Sequence, residues 1–253
     1  MNRAPERIDA VILCGGLGKR LRRVVHNRPK VMAEINKRPF LDSLIDKLVR
    51  HGFKRLILCT GYKGNLIKGY YGKRRTIIKI LYSEENRPLG TGGALRKAEP
   101  LIHSDTFLVM NGDTICNVDL NKFLNFHFGK KALMSMVLMK LKETSDFGGV
   151  ILGKDYRITG YQEKKQGKNH SLINAGIYLM EKKIFLKMPK KTRFSLEDDF
   201  FPSLPEFKCY GFINKNGFML DIGTPQRYAQ AIQLCEDNRT LKLFSEFMCY
   251  NCA

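Results

Sequence analysis

No stretch of this 253-residue chain reaches the roughly 18 consecutive apolar residues of a membrane span, so no crossing of a bilayer is expected. Linkers, low-complexity stretches and internal repeats are also missing, which argues against a string of domains or a solenoid. The seven cysteines are scattered and odd in number. Only Cys249-Tyr250-Asn251-Cys252 has C-x-x-C spacing. Neither a second cysteine pair nor a histidine pair accompanies it, so a zinc site is not expected. Cys14, Cys59 and Cys116 end or follow apolar runs, where small buried thiols fit, and unpaired thiols suit a reducing cytoplasm. Met1 to Arg7 is polar and leads into a strand, unlike a secretory leader.

Acidic residues are in short supply. Lysine and arginine number 44 against 24 aspartates and glutamates, a formal net charge of +20. That balance suits a polyanionic partner or a small anionic substrate. A nucleic-acid partner is not expected, because the lysines are spread along the chain without an arginine-rich block or an aromatic–basic motif. Anion handling is more local. Ile8 to Cys14 is apolar apart from Asp9, which is the pattern of a strand buried on both faces. It runs into Gly15-Gly16-Leu17-Gly18-Lys19-Arg20, with Pro29-Lys30 beyond. Glycines let backbone N–H groups approach an anion, and Lys19, Arg20 and Lys30 can neutralise it. Two common phosphate motifs fail here. The P-loop needs Ser or Thr after its lysine, and Arg20 follows Lys19. The dinucleotide fingerprint needs a third glycine where Leu21 stands. A basic turn after a strand is the plain alternative.

The length allows one large domain or two small ones. Along the chain, Phe40 to Val49 has helical spacing with a stop at Gly52. Leu56 to Thr60 reads as a strand, Asn65 to Tyr71 as a short helix and Ile77 to Leu81 as a third strand. Leu89-Gly90-Thr91-Gly92-Gly93 reads as a second glycine loop before a helix over Ala94 to Ala98. Thr106 to Met110 is a fourth strand, ending at Asn111-Gly112-Asp113. This alternation predicts an α/β fold: three layers, a Rossmann-like mixed and mostly parallel sheet with helices on both faces. Ligands on such sheets sit at the carboxyl ends of strands, where both glycine segments and Asp113 fall. Further on, 131–142, 149–152, 158–162 and 173–180 look extended, and 182–187, 196–201 and 225–236 look helical. The expected plan is one domain over 1–253, with halves at about 8–130 and 131–236, sharing a sheet with a cleft between them, and a tail over 237–253.

Six motifs occur in the order seen in sugar-1-phosphate nucleotidyltransferases: Ile12 to Leu21, Pro29 to Met32, Pro88 to Ala94, Asn111 to Asp113, Asn174 to Tyr178 and Asp221 to Pro225. Together they span about residues 8 to 235. Leu21 to Val25 and Arg38 to Leu41 most resemble the D-glycero-α-D-manno-heptose 1-phosphate guanylyltransferases. The chain departs from the family at Lys19, where Thr is usual, at Cys14 for Ala or Ser, and at Val31 for Pro. The resemblance implies attack by a sugar-1-phosphate oxygen on the α-phosphorus of a nucleoside triphosphate. Pyrophosphate leaves, and a nucleotide sugar forms for surface polysaccharide synthesis. Such chemistry rests on positioning and charge stabilisation more than on a general base.

Roles follow from that resemblance. Arg20 and Lys30 would be the catalytic cations. Leu13, Gly15, Gly16, Gly18, Lys19, Pro88, Gly90, Thr91, Gly92 and Asp113 would bind the nucleotide. Gly112, Gly149, Glu163, Lys164 and Asn174 would bind the sugar phosphate. Asp113 and Asp221, hard oxygen donors at strand ends, would hold Mg²⁺. An isolated Asp221 could instead cap the helix after it, Glu163-Lys164 could be a charged hairpin end, and Glu197-Asp198-Asp199 could be helix N-terminal acids after Ser195. Glu84, with Glu85 as the other candidate, would read guanine, because a carboxylate accepts from both N1–H and N2–H₂. Three alternatives remain: mannose 1-phosphate with GTP, glucose 1-phosphate with dTTP, UTP or CTP, and a regulatory nucleotidyltransferase-like subunit. The partners implied are a nucleoside triphosphate, a sugar 1-phosphate and, for assembly, a second copy of the chain.

Overall fold

The computed structural model describes residues 4–73, 77–140, 147–163, 171–215 and 217–236. Strand β1 (Asp9–Leu13) lies at the middle of a nine-stranded sheet. After it come a short ribbon, β2 (Glu34–Ile35) and β3 (Arg38–Pro39), and helix α1 (Phe40–Arg50). Next are β4 (Arg55–Thr60), α2 (Gly64–Gly72), β5 (Lys79–Glu84), α3 (Gly90–Ala98) and β6 (Thr106–Asn111). All four of these main strands run parallel, in the order β6-β1-β4-β5. Every connection between them passes through a helix, as parallel pairing requires.

Alternation along these strands shows why both faces are buried. Ala10 and Ile12, Leu56 and Leu58, and Leu108 and Met110 point to one core. Helices α1 and α2 cover that core with Phe40, Leu41, Leu44, Leu48 and Ile67. Val11, Ile57, Phe107 and Val109 point to the other, which α3 covers with Ala94, Leu95 and Ala98. Successive side chains on a strand face opposite ways, so an unbroken apolar strand needs a layer on each side.

The second half adds β7 (Thr114–Cys116), α4 (Leu120–Lys130), β8 (Met134–Met139), β9 (Gly149–Leu152) and β10 (Ile158–Gln162). It ends with β11 (Ile173–Glu181), β12 (Cys209–Ile213), β13 (Met219–Asp221) and α5 (Pro225–Glu236). β11 runs antiparallel to β6 and thereby joins the later strands to the earlier sheet. It also pairs antiparallel with β8 and touches β9, and β8 pairs in parallel with β12. The sheet is mixed, with its parallel block under the first glycine segment.

Three sequence expectations change and two elements are new. The third strand is displaced: β5 is Lys79–Glu84, leaving Ile77 75% exposed. Its register follows pairing with β4, Lys79 beside Arg55 and Glu84 beside Thr60, not its own apolar run. Helix α3 begins at Gly90, so Gly90 to Gly93 form its first turn and not a loop. Helix α4 and strand β12 had not been anticipated. In α4, Leu120, Phe123, Leu124 and His127 are buried at helical spacing, and Asp119 accepts from Asn121 N and Lys122 N as its cap. The extended reading of 131–142 contracts to β8, with 141 and 142 outside the described residues.

Asp9, the one polar residue in β1, is 3% exposed and fully used. Its carboxylate accepts from Arg55 Nε at 2.6 Å, His103 N at 2.6 Å and Ser104 N at 3.0 Å. Burial opposes its charge, but these donors win and hold its pKa below the ordinary 3.8. A depressed folded pKa stabilises the fold above the unfolded value, and that stabilisation is lost as pH falls through the folded one. Asp9→Asn is expected to cost about 3 kcal/mol at neutral pH, since Arg55 loses its partner. Urea denaturation checks it: the deficit should shrink as pH drops below 3.8, and a deficit under about 1 kcal/mol at pH 7 would contradict the assignment.

Candidate active site

Parallel strands place their carboxyl ends on one edge of the sheet, and the register makes this concrete. Leu13 lies between Cys59 and Asn111. Beyond them the chain turns away, opening a cavity of about 260 Å³. Of the residues expected to bind nucleotide, Leu13, Gly15, Gly16, Pro88, Gly90, Thr91 and Asp113 line it, as does Lys30. A second cavity of about 470 Å³ opens over the later strands, lined by Arg20, Glu163, Asn174 and Asp221 among others. Thr91, Asn111 and Asp113 border both, so the two chambers meet at these three residues.

Lys30 and Asp113 form the seam. Lys30 Nζ donates to Asp113 Oδ2 at 2.5 Å, and Thr114 Oγ1 donates to Asp113 Oδ1 at 3.2 Å. Burial works against the carboxylate, yet the Lys30 ammonium outweighs it and holds Asp113 below its ordinary value. β13 pairs antiparallel with β7, which sets Asp221 opposite Thr114, while Ile222 N donates to Asp113 O at 3.0 Å. Asp221 Oδ1 accepts from Gly223 N at 2.6 Å and from Arg227 Nη1 at 3.2 Å. Thr224 Oγ1, not Asp221, accepts from Arg227 N at the start of α5, so the capping alternative for Asp221 falls away. Two carboxylates on neighbouring chain turns, each matched by a cation, fit a hard divalent ion that takes its remaining oxygens from phosphates and water. Among the described residues no cluster of three or more His, Cys, Asp or Glu could hold an ion unaided.

Several expected residues do other work. Glu84 is exposed and pairs with Lys68 at 2.8 Å, away from the cavity, whereas Glu85 lines it. The Glu85 carboxylate sits where two glycines make room: a Cβ on Gly15 or Gly61 would lie 2.7 or 2.6 Å from its Oε1. Leu89 N donates to its other oxygen at 3.2 Å, and burial raises its pKa. Gly92 does not reach the cavity. Its N–H and that of Gly93 donate to Phe194 O at 3.1 Å, and a Cβ on Gly92 would meet the Phe194 ring at 2.1 Å. The helix start is thus capped by a carbonyl of the second half. Gly112 admits the close approach of Leu13 O, which accepts its N–H at 3.0 Å. Gly149 lies in the β9 ladder, and Gly148 lines the second chamber in its place. Gly18 and Lys19 line neither chamber. Gly18 supplies a turn at φ 58°, and Lys19 is exposed. Arg20 is exposed on the rim of the second chamber. Lys164 lies outside the described residues.

In the second chamber, Tyr161 Oη donates to Glu163 Oε2 at 2.8 Å. Asn174 is held on both ends: its Nδ2 donates to Tyr178 Oη at 2.9 Å, and its Oδ1 accepts from Gly176 N at 2.9 Å. Ser195 caps the acidic turn, as the alternative had it, yet Glu197 also reaches across the cleft. Thr91 Oγ1 donates to Glu197 Oε2 at 2.6 Å, and Ser195 Oγ donates to the same atom at 2.9 Å. Burial raises the Glu197 pKa. Asp113, Glu163, Glu197, Asp198 and Asp221 face this chamber with Arg20 and Arg227, and the Arg227 guanidinium lies 4.7 Å from the Phe147 ring centre. Such a wall suits a ligand with many hydroxyls and one anionic end. Gly148, Tyr161 and Arg227 escaped sequence reading, since nothing local marks them, and Asn111 stood in a motif without a role of its own.

Residues 9–238 match the family model described as nucleotidyl transferase. The chain is 41% identical to D-glycero-α-D-manno-heptose 1-phosphate guanylyltransferase of Aneurinibacillus thermoaerophilus over 227 residues, covering 88% of this chain and 96% of that one. With the enzyme of the same name from Campylobacter jejuni it shares 37% over 224 residues, covering 87% and 97%. The crystal structure of HddC from Yersinia pseudotuberculosis complexed with GMP-PN superposes with a TM-score of 0.76 at 33% identity, covering 89% of this chain and 98% of that one. The chain therefore belongs to the nucleotidyl transferase family, among the relatives of the heptose 1-phosphate guanylyltransferases.

Proposed function

We propose that this enzyme transfers GMP from GTP to D-glycero-α-D-manno-heptose 1-phosphate, releasing pyrophosphate and forming a GDP-sugar. The observation that carries this reading is the seam: a glycine-lined chamber and a larger polar one share Thr91, Asn111 and Asp113, with Lys30 hydrogen-bonded to the last. The kinship with enzymes named for that substrate pair supports it. One oxygen of the sugar phosphate, already ionised at neutral pH, attacks the α-phosphorus in line with the departing pyrophosphate. Lys30 neutralises charge building on the α-phosphoryl oxygens, and the Arg20 fork binds phosphate oxygens at the rim. Asp113 and Asp221 would hold Mg²⁺, which supplies further charge neutralisation when bound. Glu163 and Asn174 orient the sugar. The test is a grid of nucleoside triphosphates against sugar 1-phosphates, read as pyrophosphate release. No release with GTP and any manno-configured sugar 1-phosphate would sink the reading.

Glu85, not Glu84, reads the base in this scheme, with N1–H and N2–H₂ of guanine donating to its carboxylate. Glu85→Gln keeps the shape but swaps one acceptor for a donor. A charge-assisted bond is worth roughly 1.5–3 kcal/mol, so kcat/KM with GTP should fall about 10- to 100-fold. Activity with UTP or dTTP should rise relative to GTP, because an amide complements the N3–H and O4 edge. Glu84→Gln should leave the GTP-to-UTP ratio unchanged. Equal effects of the two substitutions would remove Glu85 from the role.

A further inference from the structure

Asn111 ends β6 at the border of both chambers, two residues before Asp113. Its Oδ1 is buried and has no hydrogen-bond partner among the described residues. Buried amide oxygens are nearly always paired, and leaving one unpaired costs roughly 1–3 kcal/mol. The fold makes room for the amide itself. Gly176 adopts φ 72°, and a Cβ there would lie 2.7 Å from Asn111 Nδ2. By contrast, the neighbouring amide of Asn174 is satisfied at both ends within the protein. Asn111 is thus the amide at the seam with capacity left for a ligand.

We infer that the Asn111 side-chain amide hydrogen-bonds the sugar hydroxyl on the carbon next to the phosphorylated one, the C2 hydroxyl. This rests on the guanylyltransferase reading above and adds a residue that determines sugar specificity. The reasoning is spatial. The phosphate on C1 must reach the α-phosphorus beside Asp113 and Lys30. The hydroxyl one carbon away is then the sugar group nearest the seam, and Asn111 borders the seam from the sugar side through Gly176. A hydroxyl both donates and accepts, so either end of the amide can serve. In a manno-configured sugar this hydroxyl is axial. A site built around it disfavours both the gluco epimer and the 2-deoxy sugar, since each leaves the amide unpaired.

The experiment compares kcat/KM for a manno-configured sugar 1-phosphate and its 2-deoxy counterpart, with GTP saturating, in wild type, Asn111→Ala and Asn111→Ser. Wild type should prefer the 2-hydroxyl substrate by about tenfold or more. Asn111→Ala should lose activity with that substrate and little with the 2-deoxy one, bringing the ratio near one. Asn111→Ser, which keeps a short hydroxyl, should give an intermediate ratio. Because the ratio is taken within each variant, partial unfolding cancels. A ratio in Asn111→Ala equal to that of wild type overturns the assignment. So does a variant whose loss vanishes with 2′-deoxy-GTP in place of GTP, which would assign the amide to the ribose. An active wild type indifferent to the 2-hydroxyl overturns this inference alone. A wild type inactive with GTP and every manno-configured sugar 1-phosphate defeats the guanylyltransferase reading along with it.

Discussion

Asp113→Asn is expected to lower the rate of pyrophosphate release by about a thousandfold or more while leaving the fold intact. The substitution keeps the volume and the backbone contacts: Asp113 O still accepts from Ile222 N, and β7 still pairs with β13. What it removes is one of the two carboxylates proposed to hold the ion, together with the counter-charge of Lys30. An amide oxygen is a far poorer donor to a hard divalent ion than a carboxylate, and metal-borne charge stabilisation is worth several kcal/mol. Each 1.4 kcal/mol is a factor of ten, which sets the thousandfold scale. Raising Mg²⁺ should restore little, because the arriving phosphates need the charge where Asp113 holds it. Single-turnover kinetics over a Mg²⁺ titration, with thermal unfolding as the fold control, measures this. Activity within tenfold of wild type would remove Asp113 from the metal role.

Lys30→Met should lower kcat by roughly 100- to 1000-fold, the usual cost of losing one preorganised donor to developing charge. KM for GTP should move less, since the charge assigned to Lys30 develops only in the transition state. A second readout separates chemistry from folding. In wild type, Lys30 holds the Asp113 carboxyl below its ordinary value against the pull of burial. Without the ammonium, burial prevails and that pKa rises. Since the site needs Asp113 ionised, the acid-side fall of activity should begin at a higher pH in Lys30→Met than in wild type. An unchanged acid limb with a large loss of kcat would mean that Lys30 acts without governing Asp113. A kcat near that of wild type would show that another cation serves the α-phosphate.

The strand-end cluster was legible locally. The apolar run before Gly15, the glycines, Lys30, Asp113 and Asp221 all stand in short motifs, and the structure brings Lys30 and Asp113 together beside one cavity. The parallel block was legible too, because each of its strands and helices carries its own hydrophobic period. Parity was harder. Glu84 and Glu85 are adjacent acids at the end of an edge strand, and no local rule says which one faces the cavity. Pairing with β4 decides it: a slip of one residue flips every side chain to the other face. The second glycine segment misled for a related reason. Its glycines look free to bind phosphate, but Phe194, about a hundred residues away, takes the N–H groups of Gly92 and Gly93.

The sequence by itself determined the alternating strand and helix block, and its six ordered motifs carried the family and with it the reaction class. The block follows from hydrophobic periods and the resemblance from short residue patterns, both of which are written along the chain. Only the tertiary structure decided that Glu85 lines the cavity, that Glu197 ties Thr91 across the cleft, and that Asn111 Oδ1 finds no partner among the described residues. Those outcomes rest on contacts between residues far apart in the chain. Whether a buried polar atom finds a partner depends on what the rest of the fold brings beside it.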